Sequence, residues 1–325
     1  MGLIKLIPIA EESLGVRSMC FYVETPDVKL LLDAGLSLAP RRFGYPPHPL
    51  EFKAVKSLRE KVIRYAKLSS VIFVSHYHYD HITPNFSSWY EWIKEDTYKE
   101  IYEGKILLIK DPKHNINPSQ LRRGHAFLRS VKEIAKEVKI ADSSKFMFGN
   151  TTVEVSEPVP HGSEGTRLGY VLMIKIQYED ESVVYTSDVE GPMTEKTLSL
   201  ILNYSPSILI VGGPPLYLAG TKVPVADIDK AIASLKLIAL SVPMIILCHH
   251  TLRAIDWREH MEPIIEAADT MGHKVLTAAE YLGVRESLLE ANRKKLYEEK
   301  PPSEEFLKWI RLSKEKRINL EPPLQ

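Results

Sequence analysis

The stretch VIFVSHYHYDHITP, residues 71–84, decides how the chain is read. Val71–Val74 is a short apolar run that predicts a β-strand, with side chains alternating between its two sides. Carried past the strand, the same period points His76, His78 and Asp80 to one side. His81 falls where the chain turns away. Three imidazoles and a carboxylate converging on one spot suit a borderline-soft divalent metal. A lone histidine is more often a structural residue. Four such groups within six positions have little packing rationale, because buried polar groups cost free energy unless they are paired.

The rest of the composition bounds the class. The chain has 325 residues and is 44% hydrophobic, ample for a packed core in one large domain or two. Lys+Arg and Asp+Glu both number 42, so the formal net charge is zero. That disfavours a protein that coats nucleic acid nonspecifically and leaves room for a local basic site. The only cysteines, Cys20 and Cys248, stand in apolar runs. This excludes a disulfide framework and makes a reducing cytoplasm the expected compartment. The opening MGLIKLIPIAEES has too short an apolar run for a signal peptide, and Leu6 stands where myristoylation of Gly2 would need Ser or Thr. The longest apolar candidate for a membrane span, Ala233–Cys248, is interrupted by Lys236 and Pro243, so no transmembrane helix is expected.

Strands and helices alternate along the chain, which predicts an α/β fold. Strands are expected at Leu3–Ile9, Arg17–Glu24, Lys29–Asp33, Val71–Ser75, Lys105–Ile109, Thr152–Ser156, Tyr170–Gln177, Ser182–Thr186, Ile208–Val211 and Met244–Leu247. Helices are expected at Glu51–Lys67, Asn85–Lys94, Gln120–Val138, Glu195–Leu202, Ile228–Leu240 and Arg258–Met271. Thr83-Pro84 reads as a cap followed by a first-turn proline, and Thr277 with Glu280 as a capping box. A boundary is expected near Gly283: residues 1–285 form the main domain, and the highly charged 286–325 a helical appendage packed on the core or on a second subunit, with a mobile tail as the alternative.

Beyond the opening stretch, further landmarks occur in order. VKLLLDAG ends near Asp33; then come Pro160-His161-Gly162, Val184-Tyr185-Thr186-Ser187-Asp188, and Ile245-Ile246-Leu247-Cys248-His249-His250. Together with His-x-His-x-Asp-His at residues 76–81, they resemble the metallo-β-lactamase superfamily of hydrolases over about residues 1–285. The pieces GYPPHP, NINPSQLRRG and CHHTLR look like a mostly archaeal branch of it; that narrower likeness names no substrate. The resemblance implies an αββα four-layer sandwich of two mixed sheets flanked by helices. It also implies two divalent metal ions, zinc first, with iron or manganese as alternatives. His76, His78 and His161 would hold one metal; Asp80, His81 and His249 (or His250) the other; Asp188 would bridge them. Metal-bound hydroxide, formed because metals lower the pKa of water to about 7, would then attack an ester. Asp80 and Asp188 are the catalytic candidates. Asp33 either supports a ligand histidine by a hydrogen bond or caps the turn at Gly35. His78 stands where the superfamily's flavodiiron oxygen reductases have glutamate, which disfavours their redox chemistry.

Substrate choice is less legible. Residues 105–139 form a basic insertion with nine Lys and Arg against three acids. Arg122 and Arg123 there, and Arg253 after the histidine pair, are candidates for holding an anionic substrate, since guanidinium forks match phosphate. The alternative is a solvated helix face, with Arg253 paired to a carboxylate. Lys110, Lys113, His114, Asn115, Asn117, His125 and Glu164 are candidates for a polar rim. A phosphoester, on a small metabolite or on nucleic acid, is the leading substrate class. A carbon ester such as a lactone or thioester is the alternative, followed by a non-catalytic metal-binding or assembly role. Zero net charge, and the absence of an evident exosite arm or added cap domain like those of related RNA-processing nucleases, give nucleic acid no positive sign. Self-association is open.

Overall fold

The computed structural model describes residues 3–324. Gly2, and with it the reading of an unmyristoylated start, lies outside them. The first sheet holds β1 (Lys5–Glu11), β2 (Met19–Glu24), β3 (Lys29–Leu32), β4 (Val71–Val74), β5 (Ile106–Ile109) and β6 (Glu137–Ile140), adjacent in that order. The first pairings are antiparallel; those from β3 to β6 are parallel. Parallel neighbours need crossovers, supplied by α1 (Pro49–Leu68), α2 (Thr97–Tyr102) and α3 (Pro118–Val131). The chain then builds β7 (Lys145–Phe148), β8 (Thr151–Val155), a ribbon of β9 (Val159–Pro160) and β10 (Tyr170–Val171), β11 (Ile174–Tyr178) and β12 (Glu181–Tyr185). It continues through α4 (Glu195–Tyr204), β13 (Ile208–Gly212), α5 (Val225–Ser241), β14 (Met244–Cys248), α6 (Trp257–Thr270), β15 (Lys274–Leu276) and α7 (Ala278–Tyr281). The second sheet runs β15-β14-β13-β12-β11-β8-β7, parallel from β12 to β15 and antiparallel elsewhere.

Strand alternation explains the layering. Leu30, Leu32 and Phe73 point inward and meet Ile174, Ile176 and Ile210 of the second sheet. Leu31, Ile72 and Val74 point outward, onto Phe52, Val55 and Val62 of α1. On the far side, Leu209, Val211 and Ile245 meet Ile228 and Leu235 of α5 and Ile264 of α6. Strands covered on both faces must be apolar on both, which is why VKLLL, VIFV and ILIVG read as continuous runs. The result is a helix–sheet–sheet–helix sandwich. Cys20 and Cys248 are both free and buried. Among the described residues no helix is long and apolar enough to cross a membrane.

Three expectations fail locally. Residues 85–94 form turns closed by a bridge between Ser88 and Ile93, not a helix. The run is rich in serine and aromatic residues, poor helix formers. Thr83 caps nothing there: its hydroxyl donates to Ala34 O and accepts from Arg59 Nη1. The helix expected at Gln120–Val138 ends at Val131, and Glu137–Ile140 becomes edge strand β6. Polar edge strands lack the apolar signature of the inner ones. Tyr170–Gln177 splits into β10 and β11. The capping box of Thr277 and Glu280 is present.

The C-terminal segment forms α8 (Arg293–Glu299), α9 (Glu304–Ile310) and α10 (Lys314–Arg317). Phe306 and Trp309 pack against Phe52 at ring-centroid distances of 5.8 and 5.4 Å. Arg293 is fully buried and grips Glu51 with two hydrogen bonds of 2.7 and 2.8 Å. Removing one partner of such a pair strands the other charge in the interior. Arg293→Ala should therefore cost about 3–5 kcal/mol of stability, measured by chemical denaturation. A loss below about 1 kcal/mol would show that the pair behaves like a surface ion pair.

Candidate metal centre

In the first sheet β4 lies parallel to β3, and in the second β12 and β14 lie parallel to β13; the loops that follow β4, β12 and β14 converge at one edge of the sandwich. In open α/β sheets that edge is where ligands bind. β4 delivers His76, His78, Asp80 and His81; β9 delivers His161; β12 delivers Asp188; β14 delivers His249 and His250. Several of these loops need unusual backbone. Asp33, Ser187, Glu190 and His249 all have left-handed φ, at 45, 56, 56 and 65°, a conformation that non-glycine residues hold only where the surroundings over-determine it. A Cβ on Gly35 would overlap the backbone of His81 and Ile82, so the turn after Asp33 approaches the histidine loop as only glycine allows.

Four overlapping clusters result, each with its ligand atoms within 4.8 Å of one another: His76, His78, His161 and Asp188; Asp33, His76 and His81; Asp80, His81 and His249; and Asp188, His249 and His250. Asp188 Oδ2 lies 2.9 Å from His161 Nε2, 3.2 Å from His249 Nε2 and 3.3 Å from His250 Nε2. His249 Nε2 also lies 3.7 Å from Asp80 Oδ2. His249 thus joins the Asp80–His81 group, whereas His250 stands across Asp188. Burial and His161 push His78 down to about 3, and burial with its neighbouring histidines holds His76 well below the ordinary range. Both are neutral, the form that coordinates metal. Burial opposes charge on Asp188, but His161, His249 and His250 outweigh it and hold the carboxylate well below its usual range.

The far nitrogens are held from behind. His76 Nδ1 lies 2.9 Å from Ser75 Oγ, and His81 Nδ1 2.8 Å from Asp33 Oδ2. His249 Nδ1 lies 2.9 Å from Glu12 Oε1, which also accepts from Arg253 Nε and Nη2. His250 Nδ1 lies 3.1 Å from the Tyr217 hydroxyl. Asp33 does not cap the Gly35 turn by its side chain. Its carboxylate accepts from Ser75 N, Ser75 Oγ, Tyr185 OH and Ser187 Oγ as well as facing His81. Cys248 Sγ belongs to the core between the sheets.

A cleft of about 680 Å3 opens over these groups, with His78, Asp80, His161, Asp188 and His250 on its floor. Arg123, Arg167 and Lys222 line it without a carboxylate partner among the described residues, whereas Arg17, which also lines it, pairs with Glu290. Arg253 lines it too, yet is buried and committed to Glu12. Arg122 is exposed outside the lining, as are His114 and Glu164; half-buried His125 also stands outside it. Lys110 is buried and bonds Asp142 and His114 O; Lys113 and Asn115 are exposed. Asn117 caps α3 and, with Gln120, holds Leu168 O, fixing the loop that carries Arg167. The insertion thus acts on the cleft mainly through Arg123 and this clamp. Sequence reading missed Glu11, Glu12, Glu190 and Tyr217. The available signal was the acid pair closing an apolar strand in IPIAEES.

Comparison with known proteins gives the family and the fold. The chain is 43% identical over 295 residues to the UPF0282 protein of Pyrobaculum neutrophilum, covering 90% of this chain and 94% of that one. It is 42% identical over 292 residues to the UPF0282 protein of Methanopyrus kandleri, covering 90% and 98%. The chain belongs to the UPF0282 family. Both relatives are archaeal, like the branch that the sequence pieces resemble. No family model matches. Among solved structures, the metallo-β-lactamase fold protein YhfI from Bacillus subtilis superposes on this UPF0282 protein with a TM-score of 0.51 at 14% identity, covering 84% of this chain and 95% of that one. The UPF0282 protein therefore has the metallo-β-lactamase fold.

Asp33 offers a direct check. Asp33→Asn keeps the volume but removes the charge facing His81. Loss of such a partner weakens metal binding by about 10–100-fold, to be read by competition with a chromophoric chelator. Unchanged affinity would mean that Asp33 serves folding alone.

Proposed function

We propose that this UPF0282 protein is a metal-dependent hydrolase of phosphoesters borne by small molecules. The carrying observation is that, of the buried polar atoms left without hydrogen-bond partners among the described residues, four converge on this centre: His81 Nε2, His161 Nδ1 and Nε2, and Asp188 Oδ1; the other two, Arg42 Nε and the Tyr297 hydroxyl, lie apart from it. Each would cost about 1–3 kcal/mol if unsatisfied. The four belong to the converging clusters, so cations suit the residues present. His76, His78, His161 and Asp188 would hold one metal, and Asp80, His81, His249 and Asp188 a second. Histidine and carboxylate donors without thiolate suit zinc first. Bound there, two divalent cations supply Lewis acidity and lower the pKa of water to about 7.

The protein's own groups do the rest. Ser75, Asp33 and Glu12 fix the ring orientations of His76, His81 and His249. Asp80 reaches the cleft at 17% side-chain exposure. Burial opposes its charge, but His81, His249 and Arg253 hold its carboxylate well below the usual range, so it stays anionic and can orient an attacking water by accepting its hydrogen bond. Arg123, Arg167 and Lys222 offer unpaired positive charge at the mouth, which favours an anionic ester over a neutral one. Their small number fits a compact phosphate better than a polyanion, whose binding needs an extended basic track.

Two measurements test the reading. His76→Ala or Asp188→Ala should lose metal and activity together while the fold persists. Two metals per chain in either variant, by elemental analysis, would defeat the site assignment. Wild-type protein should hydrolyse bis-p-nitrophenyl phosphate, and Arg123→Ala with Arg167→Ala should raise KM about tenfold or more while metal content holds. Turnover of a simple lactone alone would replace the phosphoester with a carbon ester.

A further inference from the structure

We infer that an apolar recess beside the cleft seats a planar ring of the substrate, and that the C-terminal segment exists in part to build it. The assignment rests on the phosphoesterase reading for the reacting group, but the recess is defined by its own geometry. It is a cavity of about 330 Å3, within the range of small-molecule pockets. Leu38, Pro40, Tyr79 and Glu91 line both the recess and the cleft, so the two cavities share a wall. The remaining aromatic and apolar walls come from Phe86, Trp89 and Tyr90 on one side and Trp309 and Ile318 on the other, with Ser87, Ser88, Lys314 and Arg317 adding polar atoms.

The polar edges of these aromatics are already committed. Trp89 Nε1 donates to Arg317 O at 2.8 Å, and Trp309 Nε1 donates to Leu320 O at 2.7 Å. What the indoles leave for a ligand is carbon surface. Arg317 is likewise occupied: its guanidinium lies over Tyr90 and Trp309, 5.6 and 5.8 Å from the ring centroids, and donates to Ile310 O. A recess lined by aromatic carbon recognises a flat apolar body by stacking and burial. Tyr79 ties it to the chemistry. The residue stands between His78 and Asp80, and Arg123 lies 4.7 Å from its ring centroid. A phosphate held at Arg123 therefore has the recess next to it. The ligand class is a phosphoester with an aryl or similarly flat ester group.

The turns at 85–94 acquire a purpose in this arrangement. A helix there would space its aromatics around a cylinder; the bridged turn gathers Phe86, Trp89 and Tyr90 on one cavity. The tail closes the opposite side, anchored by Phe306 and Arg293 and tied to the cavity wall by the Trp89–Arg317 hydrogen bond.

The test is calorimetric binding of naphthyl phosphate and methyl phosphate to the full, zinc-loaded chain. Naphthyl phosphate should bind about tenfold tighter or more, the scale of one buried apolar group. Ser87→Phe, which places a ring in the recess from a half-buried position free of hydrogen bonds in the described structure, should erase that preference. Phe86→Ala, which removes a wall, should reduce it. Thermal melting of both variants verifies the fold. Equal affinities for the two phosphates, or a preference that survives Ser87→Phe, would overturn the recess. Preserved ring preference with no phosphoester turnover would support the recess and remove the hydrolase reading.

Discussion

The Asp33 carboxylate is completely buried and accepts hydrogen bonds from both sheets at once. Ser75 comes from the end of β4 in the first sheet; Tyr185 and Ser187 come from the end of β12 in the second. The same carboxylate faces His81 Nδ1. One anion thereby sets the relative position of the two strand ends that carry the histidine motif and Asp188. A buried carboxylate is tolerated because it is surrounded by donors. Its left-handed backbone and the close approach at Gly35 follow from the same constraint: the chain must turn sharply to bring this oxygen pair between the sheets.

Around that anchor the molecule separates tasks. The sandwich core holds strand ends rigid, which suits a site whose donors come from four distant segments. The buried acids Glu11 and Glu12 meet the backbone and ring of His249 from β1. The segments proposed to set specificity sit outside this frame, on the insertion, on the loop after His161, and on the turns and tail around the recess. Loops and additions on a common fold choose substrates, and here they are held by particular contacts: Gln120 to Leu168, Arg293 to Glu51, Trp89 to Arg317.

Bulk charge conceals this arrangement. A net charge of zero includes acids buried beneath the candidate metal centre and cations spread at its mouth. Most of the insertion's basic residues face solvent or pair locally, as Lys110 does with Asp142. Arg123 is distinguished from Arg122 only by the direction of its side chain from α3, a difference of one position around a helix.

The four-layer fold was legible because both faces of the central strands are buried, leaving continuous apolar runs, and because His76, His78, Asp80 and His81 lie so close in sequence that local geometry groups them. The supporting partners were not legible. Glu12 meets Arg253 across 241 positions, and Glu290 meets Arg17 across 273; no local pattern records such pairs. Tertiary structure alone decided that the turns at 85–94 gather their aromatics on one cavity, that Arg253 is spent on a carboxylate, and that Trp309 shares that cavity with Trp89. Each depends on which surfaces meet when the layers close. Period and propensity describe a segment's own geometry, whereas these contacts arise from packing between segments.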